Sequence, residues 1–178
     1  MYMPRRLLPL LAAALFSGGS AMANEAGFDS KAAAMDYLAA TLPQATAANP
    51  DYRTVKDGTV TRWLTKAVRF FGQETAGPVS VAMQETYTET KDGETTPAAH
   101  EAAFSLAEVE VSELTEPGDV TPEGAAARGV LFACTRPGCI AAKWREQPSV
   151  GDRTDIYLQD DAVRAKVLAA FQYLKGAK

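Results

Sequence analysis

From Val79 onward apolar and polar residues alternate with a period of two, which suits half-buried β-strands and not helices. Val79, Val81 and Met83 are interleaved with smaller or polar residues, and residues 86–90 continue in strand-forming composition. Lys91-Asp92-Gly93-Glu94 reads as a turn. Residues 98–106 read as the returning strand, with Phe104 and Leu106 on one face. Val109 and Val111 alternate with Glu108 and Glu110 in a further strand, and the Pro- and Gly-bearing residues 115–124 read as a loop. Residues 129–145 read as a tight hairpin turning at Arg136-Pro137-Gly138, followed by a short strand over residues 154–158.

Helical patterns bracket these strands. Residues 31–42 are predicted as a helix capped by Asp29 or Ser30 and limited by Pro43, with Met35, Leu38 and Leu42 as its apolar stripe. Residues 161–174 predict a closing helix with Val163, Val167, Phe171 and Leu174 buried. Asp160 and Asp161 lie at its positive end. The segment 60–71 carries two patterns. Asp57-Gly58 and the β-branched residues around it suggest a hairpin. Val60, Trp63, Leu64, Ala67, Val68 and Phe71 instead fit helical spacing, with Gly72 as a C-cap. The helical reading is the expectation taken forward. Strands in series with helices at either end predict an α+β fold, a bent antiparallel sheet on which both helices pack.

The first 23 residues read as a cleavable signal peptide. Arg5 and Arg6 supply positive charge, residues 7–16 are apolar, and Ala21-Met22-Ala23 forms an A-x-A cleavage site before Asn24. Ten apolar residues are too few for a membrane span, which needs about 20. Sec-type export to the periplasm or beyond is the expectation, with residues 24–178 as one domain and no membrane span in the mature chain. The remaining 16 basic and 22 acidic residues carry a net charge of −6, which argues against nucleic-acid binding.

The chain has two cysteines, Cys134 and Cys139, flanking a four-residue turn. In an oxidising compartment that arrangement predicts a structural disulfide. The spacing is not the C-x-x-C of redox proteins, and one histidine does not complete a zinc set. No metal or cofactor is expected. His100, the sole histidine, lies beside Glu101 with no nucleophile motif. Asp152, Asp155, Asp160 and Asp161 are close in sequence but do not form an EF-hand loop. The charges are segregated: 11 acidic residues and one basic residue lie between Val79 and Ala127, with basic residues on either side. Acidic and basic strands paired on a solvated face account for this, as does a polarised binding surface. Arg136, Lys143, Trp144 and Arg145 near the disulfide are the candidate surface-binding residues.

The order of C-T-R-P-G-C-I, then Asp155-Ile156-Tyr157-Leu158, then an amphipathic helix ending in Ala170-Phe171-Gln172-Tyr173-Leu174 resembles a group of exported bacterial domains with PH-like folds. The resemblance implies a PH-like sandwich or partial barrel closed by the C-terminal helix, and no activity. The function expected is a non-catalytic exported domain that binds a protein or small ligand. The alternative is a hydrolase-like envelope enzyme with a carboxylate/His site assembled from distant residues.

Overall fold

The computed structural model describes residues 27–50, 52–54, 58–72, 78–116 and 126–176. The segment expected to be a signal peptide, with its expected Ala23–Asn24 junction, and most of the loop at 115–124 lie outside the described residues. Helix α1 (Lys31–Ala47) starts at Ser30, whose hydroxyl accepts a bond from the Ala33 amide at 3.1 Å. Pro43 does not end it; the helix carries the proline for one more turn, to a cap at Ala48. Met35, Leu38 and Leu42 form its buried stripe.

The strands are β1 (Tyr52–Thr54), β2 (Thr59–Phe71), β3 (Ser80–Lys91), β4 (Glu94–Ser105), β5 (Val109–Glu116), β6 (Ala127–Cys134), β7 (Ile140–Trp144), β8 (Gln147–Gly151) and β9 (Arg153–Tyr157). A first antiparallel sheet has the order β1-β2-β3-β4-β7-β8 and a second the order β5-β6-β9. Neither is closed into a barrel. Helix α2 (Asp161–Gly176) ends the fold and buries Val167, Ala170, Phe171 and Leu174. This is an α+β architecture with a helix at each end.

Besides the extent of α1, two expectations are corrected. Residues 60–71 are not a helix but most of β2, and the Gly58 turn leads β1 into it with Thr54 opposite Thr59. The register against β3 shifts between Thr65 and Ala67, a β-bulge. Thr65 is buried before the bulge and Val68 and Phe70 after it, so the buried face changes parity there; of the residues that fit helical spacing only Val68 is buried, and Phe71 is 56% exposed. Gly72 adopts a φ of 87° just past the strand, where a Cβ would stand 2.8 Å from the Pro78 carbonyl oxygen.

The second correction concerns residues 129–145. β6 and β7 do not pair with each other: β6 lies between β5 and β9, and β7 lies between β4 and β8. The chain crosses between sheets at residues 106–108, at 135–139 and at 152. These corners are bonded together, Cys134 N–H to Asp152 O at 2.8 Å, Thr135 N–H to Glu108 O at 2.9 Å, and Gly138 N–H to the Asp152 carboxylate at 2.6 Å. Cys134 and Cys139 form a disulfide there, with Cα atoms 5.7 Å apart. It is a clip between two sheets rather than the tip of a hairpin.

The core lies between the sheets and helices. Phe132 of β6 packs 4.9 Å from Phe104 of β4 and 4.8 Å from Phe171 of α2. Arg164 is buried on α2. It donates to Glu113 of β5 at 2.9 Å, to the Leu158 and Gln159 carbonyls, and to Asp161 at 2.6 Å. The Arg164 hydrogen bond and charge hold the Asp161 carboxyl below its ordinary value of 3.8. The bonds to Asp161 and Glu113 also raise the Arg164 guanidinium, against the opposing pull of burial.

Two outcomes are expected. Replacing both cysteines by serine removes loop-closure stabilisation of about 2 kcal/mol for so short a ring. Denaturant unfolding of the folded double variant measures this, and a thiol titration of the parent finds no free thiol. Arg164→Met strips donors from buried carbonyls and costs about 2 kcal/mol. Because the folded pKa of Asp161 is depressed, its contribution is present above 3.8 and lost as pH falls through the folded value. The variant lacks that part of the acid-side decline in an unfolding series.

Candidate functional site

Strand alternation places Val81, Met83, Glu85, Tyr87 and Glu89 on one face of β3. The face changes character along its length: Val81 and Met83 lie in the core, Glu85 is buried but polar, and Tyr87 and Glu89 are half-buried. Helix α1 ends above this transition. The Thr46 hydroxyl in its last turn accepts from the Thr65 amide at the bulge, 3.1 Å away, and Arg62 donates to Ala47 O at 2.7 Å. Beyond that point the inner face of the sheet runs on past the helix.

Four rings gather there from four strands. Register sets Trp63 opposite Tyr87, Glu85 opposite His100, and His100 opposite Trp144. The Trp63 ring lies 4.6 Å from Tyr87, 5.5 Å from His100 and 5.7 Å from Trp144, and Tyr87 lies 5.1 Å from Trp144. All four side chains are partly exposed. Each ring has an apolar body and a polar atom, the kind of side chain suited to an edge between core and water.

Glu85 anchors the group. One carboxylate oxygen is 2.9 Å from His100 Nδ1 and the other 3.4 Å from the Thr65 hydroxyl. The contact at Nδ1 holds the imidazole in one orientation. The Glu85 side chain is 4% exposed and that of His100 16%, so only the histidine of this pair is open to solvent. The pairing joins residues 15 apart and was invisible in the sequence, where His100 stood out for its neighbour Glu101. Glu101 in fact points to the opposite face, towards Gln84 and Lys143.

Tyr87 donates its hydroxyl to Glu89. Burial, then the Glu89 hydrogen bond and charge, raise its phenol from 10.0 to about 12, with the charge of Arg145 opposing. Glu89 also lines a cavity of 660 Å³ with Thr59, Lys91, Asp92, Glu94 and Thr96, at the tip of the β3–β4 hairpin. A smaller cavity of 270 Å³ lies on the outer face, floored by Ala82, Ala103 and Ala141.

The sequence-derived candidates separate. Trp144 joins the ring cluster, and Arg145 follows it in the turn to β8. Lys143 faces the other side of the sheet and pairs with Glu146 at 2.5 Å. Arg136 is exposed in the disulfide turn, at the opposite end of β7 from Trp144. Trp63, Tyr87 and Glu85 were not candidates, because no local motif marks them. The four aspartates do not converge: Asp152 accepts from Gly138, Asp155 pairs with Arg153, Asp160 accepts from the Val163 amide, and Asp161 holds Arg164. Among the described residues no cluster of metal-ligating side chains is present, and no helix is long and apolar enough to cross a membrane.

No family model, curated protein or solved structure matches this chain. The chemistry of the ring cluster is therefore the ground for a functional reading.

Alkaline titration tests the description of Tyr87. A folded pKa above the unfolded one means that its stabilisation is full below pH 10.0 and lost as pH rises towards about 12. Tyr87→Phe removes that alkaline loss of stability. Phenolate absorbance in the parent shows a tyrosine titrating towards about 12 that is missing from the variant, while Tyr37, which burial also raises, titrates late in both.

Proposed function

We propose that the protein is an exported, non-catalytic binding domain, and that the partly exposed surface of Trp63, Tyr87, His100 and Trp144 holds its ligand. The observation that carries this reading is the cluster itself, four rings with polar atoms drawn from four strands onto the sheet face beyond α1. The disulfide supports export, since such bonds persist in oxidising compartments. The signal-like first 23 residues add to it.

The Glu85–His100 contact favours a second reading, a hydrolase-like enzyme with His100 as general base. Burial weighs against it: Thr65, whose hydroxyl is bonded to Glu85, is 1% exposed, so this pair brings no accessible nucleophile with it. Their bonds orient His100 within the ring wall.

Binding and turnover screens separate the two. The expected result is a ligand whose binding is abolished in the Trp63→Ala/Trp144→Ala double variant, with no hydrolysis by the parent protein. Turnover that disappears in His100→Ala reverses the order. Mass spectrometry of the exported form is expected to find Asn24 at the N-terminus; an intact Met1 defeats the export half of the proposal.

A further inference from the structure

We propose that the ring surface takes a neutral saccharide, an inference that rests on the binding reading above and names its ligand class. A sugar ring has an apolar C–H face and an edge of hydroxyl groups. Trp63, Tyr87 and Trp144, with centroids 4.6–5.7 Å apart, offer a contiguous apolar surface to the first.

The charges around those rings select for the second. Glu89 accepts from the Tyr87 hydroxyl, and Arg145 follows Trp144 in the β7–β8 turn. The charges of both residues act on the Tyr87 phenol, in opposite senses. A carboxylate only accepts hydrogen bonds and a guanidinium only donates them. A ligand edge that satisfies both must donate and accept, as hydroxyls do. The cavity beside the rings continues the pattern, with Glu89, Asp92 and Glu94 offset by Lys91 and the hydroxyls of Thr59 and Thr96 on its wall. Three carboxylates against Lys91 give the cavity wall a net charge of −2, which Arg145 beside Trp144 reduces to −1 for the surface as a whole. A strongly cationic or anionic ligand meets a like charge in either case, which is unfavourable. At 660 Å³ the cavity falls within the range of small-ligand sites and leaves room for more than one sugar ring.

The turn that carries Arg145 is a separate observation. Arg145 and Glu146 occupy φ values of 46° and 67°, the left-handed pair that a two-residue hairpin requires and that asparagine and glycine fill with less strain. The β3–β4 hairpin meets the same demand with Asp92-Gly93. Strained residues of this kind gather at ligand sites, and here the strained residue is the donor beside the rings.

The test is a glycan array followed by tryptophan fluorescence and calorimetry. Cellotriose, maltotriose and N-acetylchitotriose serve as neutral probes, spermidine as the cation and trigalacturonate as the anion. A neutral trisaccharide is expected to bind with little salt dependence. Arg145→Gln and Glu89→Gln, both at solvent-accessible positions, are each expected to weaken it about tenfold. Trp63→Ala abolishes binding while Trp63→Phe retains part of it, and far-UV circular dichroism checks that each variant is folded. Tighter, salt-sensitive binding of spermidine or trigalacturonate overturns the inference; if Trp63 and Trp144 carry that binding, the binding-domain reading stands. No neutral glycan bound on the array overturns it as well. Neutral glycan binding indifferent to Trp63 and Trp144 removes both the inference and the ring surface as the site.

Discussion

Phe132 is the residue around which the two sheets and the C-terminal helix are assembled. Its ring meets Phe104 from the first sheet and the edge of Phe171 from α2, and none of the three is more than 5% exposed. Truncation of such a residue costs about 3–5 kcal/mol, a large share of the 5–15 kcal/mol by which domains are stable. The three chain crossings at residues 106–108, 135–139 and 152 follow from this packing. Strands that must cover Phe132 from different sheets turn a corner each time, and the corner amides find partners in one another and in Asp152. Gly129 shows how closely the second sheet is drawn together: a Cβ there would stand 2.0 Å from the Ile156 carbonyl oxygen on β9.

The location of the ring surface follows from a mismatch of lengths. A helix rises 1.5 Å per residue, so the 17 residues of α1 span about 25 Å. The 12 residues of β3 span about 40 Å at the extended rise of a strand. The long β2–β3–β4 strands therefore run on beyond α1, whose last turn meets β2 at Thr65 and Arg62. At the crossover, groups that are partly polar become stable on the inner face. Glu85 sits at that boundary, bonded to Thr65 and His100, and the amphipathic rings lie beyond it. Buried carboxylate, ring cluster and polar cavity are successive stages of one gradient along β3.

Much of the local structure was legible in the residues. The Ser30 cap, the stripe of α1, most of the stripe of α2 (Val167, Phe171 and Leu174, with Val163 only partly buried) and the Asp92-Gly93 turn between β3 and β4 stand as the patterns predict. The helical expectation for residues 60–71 failed for a specific reason. A bulge after Thr65 moves the buried positions to 65, 68 and 70, and a bulge is a feature of strand pairing that no single strand reveals. The expected hairpin at 129–145 failed differently: the alternation of each strand was readable, but its partners are β5, β9, β4 and β8. Of the candidate site, Trp144 and Arg145 were visible beforehand as residues near the cysteines, and His100 as the sole histidine, though with Glu101 and not Glu85 as its neighbour. Glu85, Tyr87 and Trp63 are separated from them along the chain by many turns and meet only through cross-strand register.

The amino-acid sequence by itself determined the periods, the caps, the turns and the cysteine pair, because each depends on residues within a few positions of one another. Tertiary structure decided what those elements pair with. It made the Cys134–Cys139 disulfide a clip between two sheets rather than a hairpin tip, since the Phe132 core pulls β6 and β7 into different layers. It also decided that a buried carboxylate, a histidine and three larger rings share one face, because that depends on strand order and register, which arise from long-range packing.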